Sequence, residues 1–309
     1  MNTRRVPSLR DALADVPDFR QAQGRRYELL PVLLLCCVAM MCGCRSQLAI
    51  AEWGTNYGRR WLSRLGIKRR RGPSQPTLHR IFKGLDHEQL EQAVSRWAAL
   101  VLNSCPPSKN ELEAIALDGK TLCGSRRQGA SDCHLLSALS HRLGVVMRQV
   151  AVSDHSNEIT HVSEVLAALT LEGRIITADS LLTQREMAQT IIDRGGHYLL
   201  PVKENQPSLH EEIALVFAES RLLAETITEA RTVDQHGDRI EERRLRASTA
   251  LAGYTDWPGH RRVLETQRTI TNKRTGESRQ EVVYAITSLS SEAASAGQLL
   301  QLWRAHWHI

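Results

Sequence analysis

Two aspartates sit where a chain could do chemistry on phosphates. Asp118 closes the apolar run Glu113 to Leu117, and Asp179 closes Ile175 to Ala178. Each is followed by a small residue, Gly119 or Ser180, and a turn. Both runs read as strands, and in open α/β sheets sites form beyond the carboxyl ends of strands. If the two strands are neighbours, both carboxylates emerge at one sheet edge. There they repel unless a cation joins them, and hard oxygen ligands favour Mg2+ or Mn2+. Such a pair can hold metals that activate an attacking oxygen and stabilise a leaving one. A single strand-end Asp is ordinarily a turn residue or a cap, so the repeat of the pattern carries the signal. Lys120, and Lys203 with Asn205 after the run Tyr198 to Val202, are candidate phosphate contacts.

These residues need a layered scaffold. Glu113 to Leu117, His134 to Leu139, Val145 to Val152, Ile175 to Ala178 and Tyr198 to Val202 are predicted strands. Glu158 to Leu169, with Asn157 as its cap, and Gln184 to Asp193 are predicted helices. The order is β-β-β-α-β-α-β, an α/β architecture. Ser208 to Leu223 reads as a helix, 226–290 as a strand-rich insertion, and Gln298 onward as another helix. Upstream, residues 1–104 read as a helical domain. Its helices are Leu29 to Met41, Ser46 to Trp61, Thr77 to Leu85 and His87 to Leu102. Cys105 to Asn110, with two prolines, is the predicted linker.

Charge divides the same way. The 309 residues carry a formal net charge of +6. Residues 1–110 hold 18 Lys and Arg against 8 Asp and Glu, and the remainder 22 against 26. A basic module ahead of a mildly acidic one points to a polyanion partner. The basic residues crowd into 59–71, ahead of a helix with His79, Arg80 and Lys83 on its polar side. That order suits a helix-turn-helix-like DNA reader, with Arg69, Arg70, Arg71 and Arg80 as candidate contacts. Seven cysteines without a Cys-x-x-Cys pair argue against a disulfide framework or a zinc site and for a reducing cytoplasm. The apolar stretch Leu29 to Cys44 is broken by Pro31 and Gly43 and is shorter than the ~20 residues of a spanning helix.

The motifs resemble a known family. Ile115-Ala116-Leu117-Asp118-Gly119-Lys120-Thr121-Leu122 and Thr177-Ala178-Asp179-Ser180-Leu181-Leu182-Thr183-Gln184 look like the two catalytic-Asp motifs of bacterial insertion-sequence transposases of the H-repeat-associated (ISAs) type. Ser156-Asn157-Glu158-Ile159, the Lys203-Glu204-Asn205-Gln206 strand end and His236-Gly237-Asp238-Arg239-Ile240-Glu241-Glu242-Arg243 match further segments. So do Tyr284 to Leu289, Arg304-Ala305-His306-Trp307-His308-Ile309 and, upstream, Asp18-Phe19-Arg20 and Pro73-Ser74. Departures are Ser180 for Ala, His155 for Lys, Cys123 for Arg, Glu204 for Gly, and the spacing at Asp238.

The resemblance implies an RNase H-like mixed-sheet catalytic domain over 111–309, a DDE acid triad and Mg2+ or Mn2+. Asp118 and Asp179 would be catalytic metal ligands, and the partners would be element ends and target DNA, in a homo-oligomer at the bacterial nucleoid. The third acid, a Glu, is expected directly after Ile309. The chain therefore reads as C-terminally truncated, and Glu281 and Glu292 lack the motif context to replace that acid. Two other readings stay open: a truncated, inactive DNA-binding fragment able to inhibit intact transposase, and a stand-alone RNase H-like nuclease.

Overall fold

A computed structural model describes residues 8–23, 25–57, 60–104, 112–121, 134–152, 158–219 and 221–306. The predicted linker 105–110, the Asn157 cap, Arg59, Cys105, Cys123, Cys133, His155 and residues 307–309 lie outside them. The chain divides into two compact units, Met1–Pro106 and Pro107–Ile309.

The first unit is helical: α1 (Leu9–Ala14), α2 (Leu29–Met41), α3 (Gln47–Asn56), α4 (Gln75–Gly84) and α5 (His87–Ser104). Helix α2 is apolar on every side and buries most of its residues, as such a helix must. Ser46 caps α3 through the Ala49 amide at 3.1 Å. Helix α3 stops at Asn56, not at Trp61, where Asn56, Tyr57 and Gly58 are poor helix formers. Gly54 of α3 packs against Leu35 of α2, where a Cβ would meet it at ordinary contact distance, 3.4 Å. The stretch 57–74 between α3 and α4 is far longer than the roughly 3–4-residue turn of a tight helix-turn-helix. No helix among the described residues is long and apolar enough to cross a membrane.

The second unit is built on one nine-stranded sheet, ordered β3-β2-β1-β4-β5-β9-β8-β7-β6. Its strands are β1 (Ala114–Thr121), β2 (His134–Ser140), β3 (Val146–Val152), β4 (Ile175–Ala178), β5 (His197–Val202), β6 (Ile227–His236), β7 (Arg239–Ser248), β8 (Arg262–Asn272) and β9 (Ser278–Thr287). Strands β3, β2 and β1 pair antiparallel, and β1, β4 and β5 pair parallel. That order and polarity is the RNase H-like core. The parallel strands are near-continuous apolar runs because helices α6 (Glu158–Ala167), α7 (Arg185–Asp193) and α9 (Ala296–His306) cover the sheet. The strand-rich segment forms no separate layer. Strand β9 pairs antiparallel with β5, and the remaining three continue the same sheet. Helix α8 (Pro207–Ala218) packs on β8 and β9 and ends five residues before the predicted Leu223.

The outer strands also carry a network of ion pairs. Glu241, 4% exposed, meets Arg243 at 2.7 Å and Arg268. Arg244 grips Glu229 at 2.6 Å, and Arg246 grips Glu265 at 2.6 Å. Burial raises the Glu241 carboxyl, but the hydrogen bond from Arg268 and the charges of Arg243, Arg268 and Arg239 hold it below its ordinary value. A carboxyl depressed on folding contributes stability above its unfolded value and loses it as pH falls through the folded one. Thermal melts should therefore weaken steeply below about pH 4, and Glu241→Gln should flatten that acid limb at the expense of stability at pH 7.

Candidate active site

Strand register brings the two aspartates together. Strand β1 pairs with β4 from Ala114↔Ile175 to Leu117↔Ala178. The next residue on each is Asp118 and Asp179, so the two stand side by side where parallel pairing ends. Asp118 is not past the end of its strand, as predicted. Strand β1 continues to Thr121 against β2, with Asp118 opposite Ser137. Side chains alternate across a sheet, which puts Asp118 and Asp179 on the face of Ala114 and Ile175, both packed against α9.

Each carboxylate is held differently. Asp179 caps a 3-10 turn, Ser180–Leu182, and its Oδ1 accepts from the Ser180 amide at 2.6 Å and hydroxyl at 3.2 Å. Asp118 Oδ2 lies 3.5 Å from Lys120 Nζ. The turn after Asp179 is braced from the segment after β5. Asn205 Nδ2 donates to the Ser180 carbonyl at 2.7 Å, and Gln206 Nε2 to the Thr183 carbonyl at 3.2 Å. Thr183 Oγ1 donates to the Pro201 carbonyl at 2.7 Å. Asn205, predicted as a phosphate contact, has its amide engaged on this turn. Lys203 is exposed beside it.

Helix α9 closes the site from above. His306, 8% exposed, ends its described residues, and His306 Nδ1 lies 3.0 Å from Thr177 Oγ1. The same hydroxyl lies 3.0 Å from His141 Nε2. Burial lowers the His306 imidazole below its ordinary value, against the opposing pull of the nearby Asp118 and Asp179 charges. Burial and the neighbouring His306 push His141 down to about 4. Neither His141 nor Thr177 stands out in the sequence as a site residue. Their only mark was position, in a turn and two residues before Asp179.

The donor set suits a hard cation. It consists of two adjacent, partly exposed carboxylates with the Lys120 ammonium already drawn to one of them. Among the described residues, no group of three or more His, Cys, Asp and Glu side chains is placed to share a metal ion. Glu281 and Glu292 do not join the pair. Level with Asp179 across the sheet are Pro201 and its partner Ala285, so Glu281 lies about 13 Å further along β9, near Arg268. Glu292 follows the end of β9, at the opposite sheet edge.

In the helical unit the predicted DNA contacts are exposed. Lys68, Arg69, Arg70, Arg71, His79, Arg80 and Lys83 are exposed, while Leu78, Ile81 and Leu85 are buried beneath. Arg69 is partly committed to structure: Nε donates to the Arg26 carbonyl at 3.1 Å, and its guanidinium lies 6.0 Å from the Tyr27 ring. The Tyr27 hydroxyl shares its one proton between the carbonyls of Gly72 at 3.0 Å and Arg71 at 3.2 Å. Arg80 Nε bonds back to the Pro76 carbonyl at 3.2 Å.

An RNase H-like sheet with a paired-carboxylate edge defines a class of nucleic-acid-processing scaffolds, and comparison with known proteins narrows it. Residues 109–309 match the Transposase DDE domain family, and residues 10–98 match the region described as DDE_Tnp_1-associated. The chain belongs to the DDE transposase family. It is 30% identical over 316 residues to the putative protein YbfL of Escherichia coli K12, covering 98% of this chain and 80% of that one. It is 29% identical over 316 residues to the H repeat-associated putative transposase YhhI of the same strain, with the same coverage. An uncharacterized protein in the dhlA 3′ region of Xanthobacter autotrophicus is 33% identical over 250 residues, 79% of this chain and 82% of that one.

Proposed function

We propose that this chain acts on the ends of a bacterial insertion sequence, binding them through the basic helical unit and cleaving and joining DNA strands at Asp118 and Asp179. The observation that carries the reading is the register that sets the two carboxylates side by side on the face covered by α9.

Asp118 and Asp179 would hold the divalent cation. When bound, it supplies positive charge against the phosphate and lowers the pKa of an attacking water or 3′-hydroxyl. Asp179 presents Oδ2, because Oδ1 is tied to Ser180. Asn205 and Gln206 keep that turn rigid, so the carboxylate is aimed before DNA arrives. Lys120, 3.5 Å from Asp118, and the exposed Lys203 would give the site a positive edge for phosphate oxygens.

The test is cleavage and joining of duplexes that carry the terminal repeats flanking the gene. The chain should bind such a duplex, and cleavage in Mg2+ should be lost in the Asp118→Asn, Asp179→Asn double variant while binding remains. Cleavage that survives in the double variant would refute the assignment of the two carboxylates. Replacing Arg69, Arg70 and Arg71 together by Ala should weaken binding and lower the slope of log K against log salt by up to about 2.7, some 0.9 per lost phosphate contact. An unchanged slope would remove the basic turn from the DNA interface.

A further inference from the structure

We infer that Thr177 is a positioning residue, whose hydroxyl accepts from His141 and donates to His306 and so fixes the rotation of α9 above the Asp118–Asp179 pair. The three groups come from three elements: the turn after β2, the end of β4, and the last described residue of α9. Thr177 is 2% exposed, so no solvent competes for its hydroxyl.

The direction of the chain follows from counting protons. A threonine hydroxyl has one hydrogen, so between two ring nitrogens it donates to one and accepts from the other. Burial pushes His141 down to about 4, so it is neutral at pH 7 and carries one proton. His141 Nδ1 is buried with no partner among the described residues. If that atom carried the proton, a buried N–H would be orphaned, which folded proteins rarely tolerate. An unshared lone pair there costs less. His141 is therefore protonated at Nε2 and donates to Thr177. Thr177 donates to His306 Nδ1, and His306 carries its proton on Nε2.

The consequence concerns the site. Leu299, Leu300, Leu302 and Trp303 hold α9 by apolar contact, which is not directional. Two polar contacts supply direction. Arg304 meets Asp234 of β6 at 2.9 Å, and His306 meets Thr177 of β4 at 3.0 Å. Together they set which side of the last turn faces the carboxylates. The functional consequence rests on the reading of Asp118 and Asp179 as the cation-binding pair, while the hydrogen-bond chain does not.

The experiment is 15N NMR of the histidine rings in the full 309-residue chain, with amide hydrogen exchange on α9. Wild type and Thr177→Ser should show His306 as the Nε2–H tautomer. Thr177→Val, matched in shape and suited to a strand, should lose that fixed tautomer. Exchange of the Trp303–His306 amides should then speed up roughly tenfold, as for one lost buried hydrogen bond with stranded partners, with β4 and β5 unchanged. An Nδ1–H tautomer of His306 in wild type would overturn the inference without any variant. So would Thr177→Val that keeps both tautomer and exchange rate. Mn2+ added to Asp118→Asn separates the two readings. Undiminished binding there would defeat the cation assignment and leave the tautomer result standing.

Discussion

Asp179→Asn should abolish DNA cleavage and joining by at least about 10³-fold, while the protein still folds and still binds DNA. The size follows from losing one of two carboxylates that hold the cation, a loss of roughly 4 kcal/mol of transition-state stabilisation. Asparagine is the informative choice. Its side-chain oxygen can still accept from the Ser180 amide and keep the 3-10 turn capped, so only the charge is removed. Asp118→Asn should do the same, and the double variant should be little worse than either single one, because the pair acts as a unit. The measurement is strand cleavage by gel, beside binding by anisotropy and melting by circular dichroism. Cleavage surviving within tenfold of wild type would refute the assignment.

Arg262→Met should destabilise the second unit by about 3–5 kcal/mol, a fall in Tm on the order of 10 °C. Arg262 is 1% exposed. Its Nε donates to the Leu289 carbonyl, and Nη2 donates to those of Ser290 and Ala294, each at 2.8 Å. These carbonyls belong to the loop that leads into α9. Methionine fills similar space but leaves all three unpaired in a dry environment, and that loss dominates. Arg262→Lys should recover little, since one ammonium cannot reproduce the planar fork. Because the loop sets where α9 begins, the variant should also loosen α9 amides before the rest of the sheet. Melting unchanged within 2 °C would show that water replaces the guanidinium without cost.

The elements most legible in the sequence are those whose patterns are local. Strands β4 and β5 are short apolar runs closed by Asp179 and by Lys203, the mark of parallel strands buried on both faces. Their predicted bounds agree with the fold to within one residue. The end of β1 was not legible. Asp118-Gly119-Lys120 reads as a turn, and only pairing with Ser137, Leu136 and Leu135 of β2 keeps it extended. The helix expected to reach Trp61 ends at Asn56, because apolar positions alone do not mark a helix end.

The same division holds for the site. Asp118 and Asp179 stand out because each breaks an apolar run. The Thr177 bridge spans 36 positions to His141 and 129 to His306, so nothing in local spacing discloses it. Asn205 is a second such case. Its type and place after a strand suggested a phosphate contact, and the fold adds a bond from its amide to the Ser180 carbonyl that no local pattern discloses. A polar residue next to such a carboxylate can aim it as well as touch substrate, and the aiming bond becomes visible only in three dimensions.

The most direct test of the central assignment is Mn2+ titration of the full chain, followed by paramagnetic broadening of backbone amides. Broadening should start at Asp118, Gly119, Asp179 and Ser180, reach His306 next, and disappear in the Asp118→Asn, Asp179→Asn double variant. Broadening that begins elsewhere, or that persists in the double variant, would contradict the placement of the metal at this carboxylate pair.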